Sequence, residues 1–339
     1  MRIGFNPHKD TLNEKTEYKH QIIIPVYIPN HEEYFKDSFK VFKICMQSLF
    51  KTVHDKTFIT IVNNGSCNEL VTYLDELFAD NKIHELIHTD NIGKLNAILK
   101  GLAGNEIELV TIADSDVLFL KNWQSETVGV FNNFPKAGVV GIVPQFRTFG
   151  QFCGNLIVEN LFSKKLKFSP VKDIDGLKKF YYSLGWKEED FKKNHLELTL
   201  TIERNSKLAV VGSGHFVATY KKEIFKKIPT YIEHKLGGES EKYLDKALLK
   251  FGLWRLTTND NYAYHMGNVY EEWMSEALNS FKNEPVDIIS LTNKRNLKEE
   301  GKIWFYFRNV LFVKFFKKRK YRKIFYKYKG IPKQMIGKY

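Results

Sequence analysis

The sequence predicts an α/β fold, with a mostly parallel sheet sandwiched by helices and a helical C-terminal extension. Three observations predict it. Short β-branched runs alternate with helix-period segments over about the first 100 residues, the pattern of a parallel sheet with helices on both faces. Turn residues such as Pro29-Asn30 and Asn63-Asn64-Gly65-Ser66 close the runs. Aromatic residues at helical spacing, mixed with lysines, fill the end of the chain.

Residues 21–28 (QIIIPVYI) read as a first buried strand. Residues 34–52 place Phe35, Phe39, Phe42, Met46, Leu49 and Phe50 at helical spacing, which predicts an amphipathic helix. Residues 57–62 form a second strand, after which Ser66 is placed to cap a helix over 68–78. A weaker strand at 84–88, a helix at 95–102 and a fourth strand at 108–113 lead into Asp114-Ser115-Asp116. Another strand falls at 139–143. Residues 151–206 are mixed and Lys-rich, helical near 175–193, and read as an insertion. Strand character resumes over 208–220 around a Gly-Ser-Gly turn. A helix at 240–251 meets a stop at Gly252, a strand is expected near 253–264, and the chain beyond Asn268 reads as helical to near 328.

The 339 residues suffice for one large domain or two ordinary ones, and 43% hydrophobic with 27% charged residues predicts a substantial core. The net charge of +13 is local: residues 301–339 hold 13 of the 52 Lys and Arg and none of the 39 Asp and Glu. The first 300 residues are neutral, so no extended basic groove for nucleic acid is expected. Cys45, Cys67 and Cys153 are odd in number and widely spaced, which argues against a zinc site or disulfide framework and for a reduced, cytoplasmic setting. The opening residues show no apolar signal segment, and no uninterrupted apolar run reaches the roughly 18 residues of a membrane-spanning helix.

Asp114-Ser115-Asp116 places two carboxylates just past a buried strand, at the sheet edge where open α/β folds bind ligands. Such a pair repels itself unless a cation neutralises it, and Mg2+ or Mn2+ prefers oxygen ligands. Pro25-Val26-Tyr27, Val62-Asn63-Asn64-Gly65-Ser66, Asn91-Ile92-Gly93-Lys94 and Asp114-Ser115-Asp116 follow in an order that resembles the family 2 glycosyltransferases of GT-A (Rossmann-like) fold. The match is strongest over residues 20–145 and continues loosely through Gly212-Ser213-Gly214, Gly238-Glu239 and His265.

The resemblance implies a glycosyltransferase that moves a sugar from a nucleotide-sugar donor, most often UDP-linked, to a glycan or lipid-linked glycan hydroxyl. It implies donor contacts from Pro25, Tyr27, Asn63, Asn64, Asn91, Gly93, Lys94, Asp114 and Ser115. It implies a divalent metal, Mn or Mg, held by Asp114, Asp116 and His265. Gly212, Ser213, Gly214 and His215 fall on the acceptor side. The general base of inverting relatives lies in a Glu-Asp pair opening a helix; here Ser240 replaces the Asp, which leaves Glu239 or Glu241, with Asp245 third. The family's usual Asp beside the base is replaced by the Asn63-Asn64 amides.

The implied organisation is a GT-A catalytic domain over 1–268, with 151–206 on the acceptor side, and a basic, aromatic extension over 269–339. Aromatics at 303–316 beside the KKRKYRK cluster suit an anionic membrane surface; the competing reading packs Trp304, Phe307, Leu311 and Phe315 on the domain. The expected location is cytoplasmic, peripheral on the inner face of the cytoplasmic membrane. Two rival readings are a degenerate domain that binds glycan or a partner, and a nucleotidyltransferase, for which residues 24–27 lack a Gly-rich basic loop.

Overall fold

The computed structural model describes residues 4–6, 8–12, 16–282, 284–292 and 297–339. Its strands are β1 (His20–Val26), β2 (Thr57–Asn64), β3 (Glu85–Thr89), β4 (Leu109–Ala113), β5 (Val117–Phe119), β6 (Ala137–Gly141), β7 (Leu166–Pro170), β8 (Leu198–Arg204), β9 (Lys207–Val211), β10 (Val217–Lys221), β11 (Trp254–Thr258) and β12 (Ala263–His265). Ten of them form one sheet in the order β3-β2-β1-β4-β10-β6-β11-β9-β8-β7, and β5 pairs with β12 in a separate ribbon. The first four strands are mutually parallel. Only β10, β9 and β7 run against them, so seven of the ten strands share one direction.

The helices are α1 (Ser38–Phe50), α2 (Asn68–Ala79), α3 (Lys94–Leu102), α4 (Trp123–Asn133), α5 (Gly154–Glu159), α6 (Ile174–Tyr182), α7 (Lys193–Glu197), α8 (Gly238–Leu249) and α9 (Glu272–Asn279). Near the C-terminus come α10 (Lys302–Tyr306), a π turn at Phe307–Leu311, α11 (Phe312–Phe316) and α12 (Arg319–Tyr328). Along β1, Ile22, Ile24 and Val26 enter a core with Phe42, Met46 and Leu49 of α1. The intervening Ile23 enters a second core with Ile98 of α3 and Leu248 of α8. Successive strand residues point to opposite faces, so a strand covered on both sides must be apolar at every position.

Several elements depart from the sequence expectation. The segment 151–206 contributes β7 and β8 to the edge of the sheet as well as helices. Its helix α6 ends at Tyr182 instead of continuing toward 193. The 208–220 run is two strands with different neighbours, and 253–264 divides between the large sheet and the ribbon. Ser66 does not cap α2: its hydroxyl accepts from the Ile28 N–H at 3.0 Å and so fastens the end of β1. Beyond Asn268, α9 stops at Asn279, and the described residues of 280–301 are not helical.

The end of the chain is built into the body. Phe316, Phe325, Tyr326, Ile331 and Met335 share a core with Phe168 of β7 and Leu200 of β8. The Phe168 N–H donates to the Lys329 carbonyl at 2.9 Å, and the Tyr339 hydroxyl donates to the Leu198 carbonyl at 2.8 Å. By contrast Ile303, Trp304 and Tyr306 are 86%, 59% and 58% exposed. Among the described residues no helix is long and apolar enough to cross a membrane.

Candidate functional site

Strand β4 lies in the middle of the sheet, and where it ends the chain crosses from the sheet to the ribbon through Asp114-Ser115-Asp116. Two backbone bonds clamp this crossing: the Asp114 N–H donates to the Phe216 carbonyl at 2.7 Å, and the Asp116 carbonyl accepts from the Met266 N–H at 2.8 Å. In the ribbon Val117 stands opposite His265. That register brings Asp116 Oδ2 to 3.4 Å from His265 Nε2. Burial pushes the Asp116 carboxyl up to about 6; His265 opposes the shift and Asp114 adds to it. Asp116 Oδ1 is buried with no hydrogen-bond partner among the described residues.

Lys94 opens α3 and reaches across to the same crossing. Its Nζ lies 2.5 Å from Asp114 Oδ1 and 3.9 Å from Glu241 Oε1. Burial alone would lower its pKa, but Asp114, Glu241 and Asp116 together hold it above the ordinary lysine value. The preceding Gly93 has φ +89°, and a Cβ there would meet the Lys235 Cα at 2.8 Å. The close backbone passage that requires glycine is therefore with the 234–235 loop, whose Lys235 carbonyl accepts from the Lys94 N–H at 2.8 Å.

The two candidate base carboxylates separate sharply. Glu239 points outward and pairs with Lys242, whose hydrogen bond lowers its pKa. Glu241 turns inward, with Oε2 3.6 Å from His215 Nδ1. His215 Nε2 lies 2.8 Å from Asp245 Oδ1, and Asp245 pairs with Arg255, which is 3% exposed. Burial, with the Arg255 charge, lowers His215 to about 4. The neutral ring therefore donates from Nε2 to Asp245 and presents its Nδ1 lone pair to Glu241. Ser240, where the resembled family has Asp, is buried and donates its hydroxyl to the Gly237 carbonyl at 2.7 Å.

A cleft of about 410 Å³ lies beyond the carboxyl ends of β1, β2 and β4, lined by Pro25, Tyr27, Asn64, Asn91, Lys94, Asp114, Ser115 and Asp116. Lys235 and Leu236 close one wall. Asn64 is fixed there by accepting from the Ile92 N–H at 3.0 Å. Asn63 does not line the cleft: its amide accepts from the Ser66 N–H at 3.0 Å and meets His88 Nδ1 at 3.0 Å. Gly212, Ser213 and Gly214 also lie outside the cleft lining. A Cβ on Gly212 would stand 2.5 Å from the Thr148 carbonyl carbon, and one on Gly214 would strike Gln145, so tight packing explains the two glycines. The Ser213 carbonyl accepts from Arg255.

For a divalent ion, the described residues hold no cluster of three or more candidate His, Cys, Asp or Glu ligands. Asp114 is taken by Lys94, which leaves Asp116 and His265 as a two-sided pair. A carboxylate that lines the cleft, with one oxygen buried and unpartnered and the other beside an imidazole, fits an ion that completes its shell with water and a diphosphate. Asp245 and Arg255 were not singled out as a buried pair in the sequence; only the turn of α8 toward β11 joins them.

Residues 22–186 match the family model described as Glycosyl transferase family 2. The matched segment contains Lys94, Asp114 and Asp116 and ends before His215, Glu241 and His265. No curated protein matches the chain. Among solved structures, S. aureus TarS 1-349 is similar at 15% identity over 78% of this chain and 70% of that one, with a TM-score of 0.43. The mannosyltransferase PcManGT from Pyrobaculum calidifontis, in complex with GDP-Man and Mn2+, is similar at 15% identity over 74% and 57%, TM-score 0.41. GalNAc-T7 with UDP, GalNAc and Mn2+ is similar at 12% identity over 73% and 43%, TM-score 0.45.

Proposed function

We propose that the chain, a glycosyltransferase whose residues 22–186 are a glycosyl transferase family 2 domain, moves a sugar from a nucleotide-sugar donor to a hydroxyl of a glycan or lipid-linked glycan. The observation that carries the reading is the cleft at the carboxyl ends of β1, β2 and β4. It joins an aromatic and amide wall (Tyr27, Asn64, Asn91) to a charged crossing (Lys94, Asp114, Asp116). Nucleotide sugars combine a flat base with an anionic diphosphate, and both halves find partners here. A UDP-linked sugar is the donor favoured by the family resemblance.

Asp116 and His265 would hold Mn2+ or Mg2+, which supplies Lewis-acid charge for the departing diphosphate. Lys94 would add a fixed positive charge on the same side, and Asp114, already paired with it, would face the donor's ribose or sugar. Glu241 is the base. As the acceptor oxygen forms its bond to the anomeric carbon, the bond from that carbon to the diphosphate breaks. The acceptor proton passes to Glu241, with inversion at the carbon. Glu241 stands beside the cleft rather than in its lining, joined to the charged crossing by Lys94 at 3.9 Å and backed by His215, Asp245 and Arg255.

The basic, aromatic extension would rest on an anionic membrane surface. Ile303, Trp304, Tyr306 and Phe307 are exposed beside Lys302, Lys314, Lys317, Lys318 and Lys320. Exposed aromatics among basic residues suit an anionic bilayer surface, which would make the protein peripheral on the inner face of the cytoplasmic membrane.

A thermal-shift panel of UDP-, GDP-, CMP- and dTDP-sugars with and without Mn2+ tests the donor reading. A UDP-sugar should raise the melting temperature, and more so with Mn2+. If no nucleotide sugar stabilises the protein under either condition, the reading is wrong.

A further inference from the structure

We propose that Ser183, at the end of α6, is a positioning residue for the divalent ion: it locks His265 in the tautomer whose Nε2 lone pair faces Asp116. The inference rests on the metal reading above and adds a residue from the 151–206 segment to it.

A serine hydroxyl carries one proton. Ser183 Oγ lies 2.6 Å from the Phe180 carbonyl, and a carbonyl only accepts, so the proton lies there. Oγ also lies 2.8 Å from His265 Nδ1, and in that contact it can only accept. Nδ1 therefore carries a hydrogen. In the neutral ring this leaves Nε2 bare, 3.4 Å from Asp116 Oδ2. Two acceptors facing each other at that separation need a cation or a proton between them.

The ring has little freedom to turn. Phe216 stands edge-on to it at 5.0 Å and 86°, and Phe180 at 5.9 Å and 77°. Gly267 follows at φ +71°, where a Cβ would meet the Ser183 carbonyl at 3.1 Å. The backbone after β12 thus runs against Ser183 itself. Ligating histidines generally have their second nitrogen tied in this way, and loss of that tie weakens metal binding roughly 10- to 100-fold.

The test is Mn2+ affinity of the full chain, read from the free-ion EPR signal, for wild type, Ser183→Ala and Ser183→Thr. The Ala variant should bind Mn2+ about 10-fold more weakly with the metal-free melting temperature unchanged, and the Thr variant should restore affinity. Equal affinity of wild type and Ser183→Ala overturns the role of Ser183 while leaving the metal site standing. A wild type that binds no Mn2+ overturns the metal reading and this inference together. Should the Ala variant fold poorly, 15N-histidine spectra of the metal-free wild type decide the matter. A protonated Nδ1 on His265 is expected, and a neutral ring protonated at Nε2 overturns the proposal.

Discussion

Lys94 and Asp116 respond to the same burial in opposite ways. Lys94 has carboxylates near enough to outweigh desolvation, whereas for Asp116 burial wins, and its carboxyl is pushed up to about 6 from an ordinary 3.8. A raised carboxyl pKa contributes stability below the unfolded value, and that contribution is lost as pH rises through about 6. The shift corresponds to about 3 kcal/mol for a dry site, and less here because 25% of the side chain faces the cleft. Asp116→Asn should therefore raise the melting temperature of the metal-free protein at pH 7.5 and erase stabilisation by Mn2+. A lower melting temperature would contradict the assigned environment. Glu241→Gln should cut nucleotide release in the presence of acceptor by about 100-fold or more with donor stabilisation retained, and Glu239→Gln should leave it within about twofold. Equal losses in both would remove Glu241 from its role. Lys94, Asp114 and Asp116 were legible in the sequence because each sits at a strand-to-helix or strand-to-ribbon junction. Asn63 and Asn64 were not separable, since only the twist at the end of β2 decides which amide meets the cleft. Ser183 was invisible, because its meaning depends on a carbonyl on its own helix and an imidazole from a distant strand.

At the scale of elements, the alternating strands and helices up to β4 were readable because both faces of those strands are covered and their apolar runs are continuous. β7 and β8 were not: LKFSP carries a lysine and a terminal proline, which an edge strand tolerates and a central one does not. The C-terminal extension divides by burial rather than by composition. Phe325 is 5% exposed within the shared core, so Phe325→Ala should destabilise the whole chain by about 3–5 kcal/mol, measurable by urea unfolding. Deleting 301–339 would therefore strip the core and say nothing about membranes. The paired Trp304→Ser and Phe307→Ser variant is the better probe. It should leave stability within roughly 0.5 kcal/mol per site and weaken sedimentation with phosphatidylserine-containing vesicles. Unchanged sedimentation would dismiss the bilayer as partner.

For the whole molecule, a second buried titratable group sets the acid limit. His20 is 1% exposed, meets Thr111 Oγ1 at 2.6 Å and Gln124 Nε2 at 3.1 Å, and is pushed down to about 3 by burial and by His54. A depressed histidine gives stability that is complete above the unfolded value of 6.5 and fades as pH falls toward 3. Between about pH 4 and 6 this gain and the Asp116 loss oppose each other, so the metal-free protein should lose stability below about pH 4 and reach its full stability only above about 6.5. His20→Gln should flatten the acid side of that profile, and an unaltered acid limb would place the sensitivity elsewhere. A neutral body joined to a basic tail also means that vesicle binding should weaken with salt far more than donor binding does. The tail's exposed helices have a geometric consequence as well. Arg308 pairs with Glu300, whose N–H donates to the Lys250 carbonyl, and this places α10 beside the amino ends of β6 and β11. The cleft lies beyond the carboxyl ends of strands that run the same way, and a five-residue strand spans about 17 Å. A protein standing on Trp304 and Phe307 would hold its cleft on the far rim, a stilt's height above the headgroups. A first sugar bonded directly to a lipid would lie too low to enter, and the tip of an already lengthened glycan would reach.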